Sequence, residues 1–332
     1  MKYKSIIVTQ RGGPEVLQVV ENELRPPARN EARIKVLATG VGRTDINYRY
    51  GLSPFAPKVP FVPGYEVMGI VDAIGEGVTR VAVGDRVTAL TGHGSYTEMI
   101  YLGQEHLVKV PASLDPADVV TVVLNYVTAY QMLHRVAKVK AGDKVLVNGA
   151  SGGVGTALLE LGRLAGLRMY GTASQSKHKV LAQFGATPID YHIHDFVEVI
   201  GQAEPNGLDF AFEGMGGEDG DRALSTLRKG GKLVSYAAPV GWSNILKDAF
   251  HLLRINLFSG KKAEFYGITA VYLRDKKPFM EDLPKLFQML DEGKIKPVIA
   301  AKLPILEARK ANELLESGQV TGNLVLLAPE LL

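Results

Sequence analysis

The feature that most constrains this chain is a glycine-rich turn between an apolar run and a helix-like segment. The apolar run, residues 145–147, is short and largely β-branched, which is typical of a buried parallel strand. Ala150, Gly152 and Gly155 follow at the spacing A-x-G-x-x-G. Residues 157–165 then carry apolar side chains at helical spacing. A strand, this turn and a helix in that order predict a site for the diphosphate of a dinucleotide rather than an ordinary tight turn.

The glycines and the helix N-terminus have separate roles in such a turn. Gly152 lets the backbone approach the diphosphate, and Gly155 lets the helix pack close to the strand. The first helical residues, Gly153 and Val154, offer unpaired N–H groups and the positive end of the helix dipole. We therefore take the run from Ala150 to Gly155 as cofactor-binding.

The end of the second predicted strand indicates which dinucleotide is bound. NAD-selective sheets carry an acid about 20 residues past the glycine turn, where it binds the ribose 2′-hydroxyl. Here the strand ends in Thr172, Ala173 and Ser174 without an acid, and Lys177 and Lys179 follow. A hydroxyl and an ammonium group would hold a 2′-phosphate, which a carboxylate would repel. Ser174 and Lys177 therefore favour NADP(H), although the lysines could also be solvated helix residues.

The composition excludes several classes of protein. The chain has 332 residues, of which 46% are hydrophobic, and its 38 basic and 35 acidic residues give a net charge of only +3, so no nucleic-acid partner is expected. It has no cysteine, which excludes disulfides, thiolate metal ligands and cysteine nucleophiles. We find neither a secretory signal nor an apolar run long enough to span a bilayer. We therefore expect a cytoplasmic protein without a membrane partner.

Two fold patterns follow one another along the chain. The first ~120 residues carry short half-buried strands separated by Gly/Pro turns, which favours a barrel or a sandwich. From residue 144 strand-like and helix-like runs alternate, which predicts an α/β fold with a doubly wound, six-stranded parallel sheet. The tail ends in an apolar strand at 323–327 and could rejoin the first domain. The six predicted strands of the sheet are residues 144–147, 168–172, 187–190, 208–213, 232–237 and 264–269.

Five stretches together resemble the medium-chain dehydrogenase/reductase superfamily, in its zinc-free quinone oxidoreductase (zeta-crystallin-like) branch. They are ATGVGRTDINYRYG at 38–51, PGYEVMGIVDAIGEGV at 63–78, VGDRV at 83–87, NGASGGVG at 148–155 and GTASQSKH at 171–178. The resemblance covers essentially the whole chain. It implies a GroES-like β-barrel catalytic domain over residues 1–122 and 296–332, a NADP-binding Rossmann domain over residues 123–295, and a nicotinamide held in a cleft between them.

The chain departs from the zinc-dependent members of that superfamily. Those enzymes typically bind catalytic zinc through a Cys and a His, at positions where this chain has Gly42 and Tyr65. The cysteine-rich loop that binds structural zinc is absent as well. We therefore expect no metal. Without a Lewis acid alcohol oxidation becomes harder, so the resemblance implies reduction of an acceptor that is already electrophilic.

The resemblance also implies which residues surround the nicotinamide. The catalytic candidates are Asn47, Tyr65, Tyr126 and Thr128, and Thr128 also counts as cofactor-binding. The Tyr126 hydroxyl could relay a proton, or its ring could simply pack a helix. Asn47, expected on a loop, could hydrogen-bond a carbonyl or only its own backbone.

Two further expectations concern the same loop. Asp45 and Arg49, four residues apart, are interpreted as a structural ion pair rather than an acid catalyst. Gly42, Asn47 and Ser53 stand where many quinone reductases carry Asn, Tyr and Tyr. The substrate pocket is therefore expected to be wider and more polar than in those relatives.

Three more positions are implied to lie near the cofactor. Tyr191 matches a tyrosine that helps to hold the 2′-phosphate in related reductases, unless it is only an aromatic residue at a strand end. The segment 237–239, which begins with Ala237, would pass along the nicotinamide ribose. Asn323 stands where relatives often carry a basic or small residue near the cofactor.

These features predict a zinc-independent, NADPH-dependent reductase of quinones or of activated C=C bonds in α,β-unsaturated carbonyls. Two alternatives stay open: a trans-2-enoyl-thioester reductase, and a non-catalytic, crystallin-like NADPH-binding protein. A small electrophile is the expected partner. A homodimer is also expected, with residues 264–272 as an edge strand that pairs with its copy. The sequence leaves open the physiological substrate and the proton donor.

Overall fold

The computed structural model describes residues 1–237 and 241–332, apart from the side chains at 242–246 and 248. The chain divides into two compact units. Unit 1 comprises residues 1–124 and 279–332, and unit 2 comprises residues 125–278. Ala238 and Pro239 of the predicted ribose segment lie outside the described residues.

Fifteen strands and eleven helices are described in those ranges. The strands are β1 (Lys2–Val8), β2 (Leu17–Glu23), β3 (Glu31–Val41), β4 (Glu66–Ile74), β5 (Arg86–Leu90), β6 (Met99–Gly103), β7 (Val108–Lys109), β8 (Lys144–Asn148), β9 (Arg168–Thr172), β10 (Thr187–Ile189), β11 (Leu208–Glu213), β12 (Leu227–Ser235), β13 (Lys262–Phe265), β14 (Ile299–Pro304) and β15 (Asn323–Leu327). The helices are α1 (Arg43–Tyr50), α2 (Pro116–Thr121), α3 (Val127–Gln131), α4 (Gly153–Leu164), α5 (His178–Gln183), α6 (Phe196–Ala203), α7 (Glu218–Ser225), α8 (Trp242–Phe258), α9 (Ile268–Arg274), α10 (Lys277–Asp291) and α11 (Ala308–Glu316).

Unit 2 is built on a six-stranded parallel sheet, which confirms the predicted fold class. Its strand order is β10-β9-β8-β11-β12-β13, and all five pairings are parallel. The chain starts at the centre with β8, moves outward to β10 and then crosses back to β11. The carboxyl ends of β8 and β11 therefore meet where the order reverses, which is where open α/β sheets bind ligands. One cluster of buried residues joins this sheet to α6, α7 and α8, including Phe196, Ile200, Ala223 and Ile255.

The last strand of this sheet is shorter than predicted. We expected a strand at 264–269 and a dimer edge at 264–272, but β13 spans only Lys262–Phe265 and α9 begins at Ile268. Ile268 and Tyr272 are the buried residues of α9, and they lie four apart, on one helix face. A short apolar run fits a strand and a buried helix equally well, so its periodicity alone cannot distinguish the two structures.

Unit 1 contains a mixed sheet and a separate hairpin. The sheet order is β14-β15-β3-β4-β5-β7, with β6 also paired to β3, and β1 and β2 form the hairpin. The tail strand β15 pairs antiparallel with β3 through residues 324–327. A salt bridge also links the N-terminal part of unit 1 to its C-terminal tail: buried Arg49 on α1 donates to Glu316 on α11.

Candidate functional site

The glycine turn begins where the central strand β8 ends, and Thr172 on the neighbouring strand holds it. The Thr172 hydroxyl donates to Asn148 Oδ1 at 2.5 Å and accepts from the Gly149 N–H at 3.0 Å. The Ala150 N–H donates to the Thr172 carbonyl at 3.1 Å. Ala150 fits the first glycine position because Gly171 faces it; a Cβ on Gly171 would lie 2.9 Å from the Ala150 Cβ.

Gly152 and Gly155 are glycines for different reasons. A Cβ on Gly155 would lie 2.4 Å from the Gly149 carbonyl oxygen and 2.7 Å from the Ala150 carbonyl, both rigid backbone atoms. Gly155 is therefore required by the packing of α4 on the turn. A Cβ on Gly152 would meet nothing nearer than the same Gly149 oxygen at 3.6 Å. Packing within the protein does not require a glycine at 152, so the space beside it is open to a ligand.

The N-terminus of α4 follows directly and suits an anion. Gly152 is its N-cap residue, and no side chain in the described ranges caps it. The first N–H groups of the helix, at Gly153 and Val154, therefore have no capping acceptor, and the helix dipole adds partial positive charge there. These donors and the open Gly152 backbone lie on one short stretch.

The residues predicted for a 2′-phosphate follow β9 and β10. Ser174 is partly exposed, and Lys177 is half-buried, which lowers the pKa of its ammonium group through desolvation. Tyr191 is 52% exposed, and its ring lies 4.3 Å from that of His192. Asp190 was not predicted; it accepts the backbone N–H of Gln175 at 3.1 Å and of His192 at 3.0 Å, which lowers its pKa.

Tyr126 ends the helical turn that joins α2 to α3, and Thr128 lies in α3. The Tyr126 hydroxyl is buried and donates to Glu160 on α4 at 2.5 Å, so it has a partner inside unit 2. This contact is the one expected of a helix-packing residue. Thr128 is also buried, but its Oγ1 has no hydrogen-bond partner among the described residues. A buried hydroxyl is costly when unpaired, so Thr128 retains a hydrogen bond for a bound molecule or water.

A loop that was not predicted from the sequence, residues 214–217, follows β11. The buried carboxylate of Glu213 accepts the N–H groups of Met215 and Gly216, the second at 2.8 Å, and the Ser235 hydroxyl at 3.3 Å. Burial raises the pKa of Glu213. No sequence motif marks this loop; only its position at the end of the strand beside β8 would have suggested it.

In unit 1 the segment carrying Asn47 is a helix, α1, and not the predicted loop. Asp45 closes its first turn, because Asp45 Oδ2 accepts the Gly42 N–H at 2.9 Å. Its other oxygen accepts the Gly64 N–H at 2.9 Å and so ties α1 to the residue before Tyr65. Asn47 is half-buried on this helix.

The predicted ion pair of Asp45 with Arg49 is wrong as a direct contact. The Asp45 carboxylate is used by the two backbone N–H groups, whereas Arg49 bonds to Glu316 and, at 2.6 Å, to the Gly12 carbonyl. Arg49 still acts on Asp45 at longer range. Desolvation outweighs this attraction and the hydrogen bonds, and it raises the pKa of Asp45 to about 6.

Tyr65 lies in a buried cluster of titratable groups. Its ring centroid is 6.2 Å from that of Tyr48, and both side chains are buried. Glu66 is buried as well, and its Oε2 has no hydrogen-bond partner in the parts of the chain that the structure describes. Desolvation raises the pKa of Tyr65, Glu66 and the neighbouring Tyr96, and Asp45 adds to each shift. Burial therefore disfavours the charged form of both side chains, and the Tyr65 hydroxyl stays protonated.

The remaining predicted residues lie apart from these clusters. Asn323 begins β15 in unit 1, where its backbone N–H and its Nδ2 both donate to the Val298 carbonyl, at 2.8 and 2.9 Å. Ala237 is partly buried in unit 2 and lies beside Gly216, where a Cβ would be 3.4 Å from its own. The structure thus divides the predicted residues between the units: Asn47, Tyr65 and Asn323 in unit 1, and the others in unit 2.

The structure also bears on metals and membranes. Within residues 1–237 and 241–332, no group of three or more His, Cys, Asp or Glu side chains is placed to hold a metal ion. None of the described helices is both long and apolar enough to cross a bilayer.

Two family models match the chain. Residues 28–112 match the alcohol dehydrogenase GroES-like domain, and residues 184–326 match a model described as zinc-binding dehydrogenase. Human quinone oxidoreductase is 30% identical over 98% of this chain and 97% of its own length. The zebrafish (Danio rerio) synaptic vesicle membrane protein VAT-1 homolog is 28% identical over 98% of this chain and 70% of its own length.

A solved structure supports the same relationship. Escherichia coli quinone oxidoreductase, complexed with NADPH, superposes with a TM-score of 0.87 at 27% identity, and the match covers 98% of this chain and 99% of that one. Both sheets of the present chain therefore follow a known two-part architecture.

The two glycines of the turn give a first prediction. Gly155→Ala is expected to lower the free energy of unfolding by about 2–4 kcal/mol, because its Cβ would meet rigid backbone. Gly152→Ala is expected to cost less than about 1 kcal/mol, because φ there is −79° and the space is open. Urea unfolding of both variants checks this. Equal losses would contradict the separate roles.

Asp45 gives a second prediction, on pH dependence. Its folded pKa lies above the value of 3.8 expected for the unfolded chain, so its ionisation costs stability as pH rises from about 4 to 6. Asp45→Asn removes this cost but loses one backbone acceptor. The free energy of unfolding of the variant relative to the native protein should therefore improve by about 3 kcal/mol between pH 4 and 7. A difference that does not vary with pH would contradict the shift.

Proposed function

Because the chain belongs to the quinone oxidoreductase branch of the medium-chain dehydrogenase/reductase superfamily, we propose that it is a zinc-independent, NADPH-dependent reductase of quinones or of activated C=C bonds in α,β-unsaturated carbonyls. The observation that carries this proposal is the open Gly152 backbone at the uncapped N-terminus of α4. It lies at the reversal point of a parallel sheet, where the diphosphate of a dinucleotide fits. The related Escherichia coli enzyme was solved with NADPH.

The residues present suit NADPH better than NADH. The turn from Ala150 to Gly155 would bind the diphosphate, and Ser174, Lys177 and Tyr191 would hold the 2′-phosphate. Asp190 lies near these residues in the chain, but its carboxylate already accepts two backbone N–H groups. It therefore fixes this segment of backbone.

NADPH, when bound, supplies a hydride, and the protein then has to position the acceptor and provide hydrogen-bond donors. Within unit 1 we assign polar contacts of the acceptor to Asn47 and Tyr65. The raised pKa of Tyr65 keeps its hydroxyl protonated, so it can donate to a carbonyl oxygen on which negative charge develops. Thr128 has an unused buried hydroxyl. Tyr126 is a weaker candidate, because its proton is already donated to Glu160.

The donor set argues for chemistry without zinc. Gly42 and Tyr65 replace the Cys and His ligands of the zinc-dependent relatives, and the chain has no cysteine at all. The family that residues 184–326 match is described as zinc-binding dehydrogenase, but this chain lacks Cys and His at these two positions. Quinones and enones need no metal to become electrophilic.

We extend the proposal to the organisation of the protein. Residues 1–122 with 296–332 act as the catalytic domain, and 123–295 as the cofactor domain. The protein works as a homodimer in the cytoplasm, a reducing compartment to which a chain without cysteine is suited. Unit 2 supports the dimer: β13 is the edge of the sheet, and Phe265 on it is exposed.

The activity test uses the purified full-length protein and follows NADPH oxidation at 340 nm. We expect turnover with 9,10-phenanthrenequinone or a 2-alkenal, and little with primary alcohols plus NADP⁺. Turnover only with a 2-enoyl thioester would favour the thioester reductase. Tight NADPH binding without turnover of any acceptor would favour the non-catalytic alternative.

Cofactor selectivity gives a further prediction. Lys177→Ala should raise the Kd for NADPH about tenfold, because it removes one charged contact to the 2′-phosphate, and leave the Kd for NADH unchanged. Lys179→Ala is the matched control, since it removes the same charge from an exposed position two residues on and should change either Kd less than about twofold. Fluorescence titration checks this. Equal effects of both variants would contradict the role of Lys177.

A further inference from the structure

One methionine lies exposed beside the glycine turn. Met215 is 59% exposed, and its sulfur would be 3.1 Å from a Cβ placed on Gly149, so the thioether lies directly against the start of the turn. Among the other seven methionines, only Met1 at the chain terminus is exposed. Met215 is thus the one accessible thioether near the proposed cofactor site.

The backbone around Met215 is fixed rather than loose. Glu213 accepts the N–H groups of Met215 and Gly216, and the Gly214 N–H donates to the Asn148 carbonyl at 3.3 Å. Gly214 also packs on Tyr236, whose ring would lie 2.5 Å from a Cβ at that position. These contacts join the Met215 loop to the end of β8 and fix the main chain from which the thioether extends.

A second observation shows that the same corner leaves polar groups for a bound molecule. Asn148, at the end of β8, is 3% exposed, and its Nδ2 has no hydrogen-bond partner among the described residues. Its Oδ1 is fixed by the Thr172 hydroxyl, so the amide cannot turn over without losing that bond. Gly149, which Met215 contacts, is the next residue.

We propose that Met215 is an oxidation site through which peroxide lowers the affinity of the protein for NADPH. Hydrogen peroxide transfers one oxygen atom to the sulfur; the thioether loses two electrons, the peroxide O–O bond breaks and water leaves. The product is methionine sulfoxide. No cysteine in the chain competes for the oxidant.

The sulfoxide at Met215 would repel the diphosphate group that we propose the glycine turn binds. Its oxygen carries partial negative charge and adds volume, and the rigid loop would present both beside Gly149. The diphosphate would then meet a dipole of the wrong sign close to the N–H groups of α4. This inference rests on the proposed function, since it requires NADPH at the turn.

The test compares each protein with itself before and after peroxide. The full-length chain is treated with hydrogen peroxide until mass spectrometry of its peptides shows the sulfoxide at Met215, and the Kd for NADPH is then measured by fluorescence. We expect at least a fivefold rise in Kd, which methionine sulfoxide reductase reverses. Met215→Leu should show no rise on treatment, whatever its starting Kd. Met99→Leu is the matched control and should respond as the native protein does.

The other possible results overturn either the role of Met215 or the proposed function itself. An unchanged Kd in the oxidised native protein, or an equal rise in Met215→Leu, would show that Met215 is not the sensor. If the untreated protein binds no NADPH, the proposed function fails first, and this inference falls with it. If NADPH binds and is unaffected by the sulfoxide, only this inference fails.

Discussion

The close approach of α4 to the end of β8 is the constraint on which the rest of unit 2 depends. It exists only because Gly155 has no side chain; any Cβ there would overlap the carbonyl groups of Gly149 and Ala150. This approach places the helix N-terminus immediately beyond the central strand. The open position at Gly152, the bonds from Thr172 and the loop held by Glu213 are all arranged around that one contact. Packing requires a glycine at 155 but not at 152, where the space beside the backbone is open.

Unit 1 buries several titratable side chains in one place. Asp45, Glu66 and Tyr65 are all buried, and desolvation raises the pKa of each. Two backbone N–H groups favour the charged form of Asp45, whereas desolvation and the nearby Asp45 charge raise the pKa of Glu66. Desolvation thus disfavours negative charge throughout this corner of unit 1.

The sequence predicted the parallel sheet well because its strands are buried on both faces and read as apolar runs. The predicted 168–172 and 208–213 are the observed β9 and β11 to the residue, and β8 differs by one. The prediction of one strand at 264–269 was wrong, because the short strand β13 and the helix α9 that follows it form one apolar stretch of sequence. The predicted partner of Arg49 was wrong too. Its actual partner, Glu316, lies 267 residues away in the sequence, so no local spacing can reveal the pair. Glu213 and Met215 belong to no motif; only the strand order places them beside β8.

The position of β15 within the first sheet has a consequence for biosynthesis. β15 lies between β14 and β3, so the strand made last fills a gap in a sheet begun near the N-terminus. A ribosome releases all of unit 2 before that gap can be closed. Residues 38–41 of β3 therefore stay without β15 while the roughly 280 residues between the two strands are synthesised, at about 5–20 residues per second. During that interval of tens of seconds, chaperone protection of the exposed β3 edge matters more than at any later time.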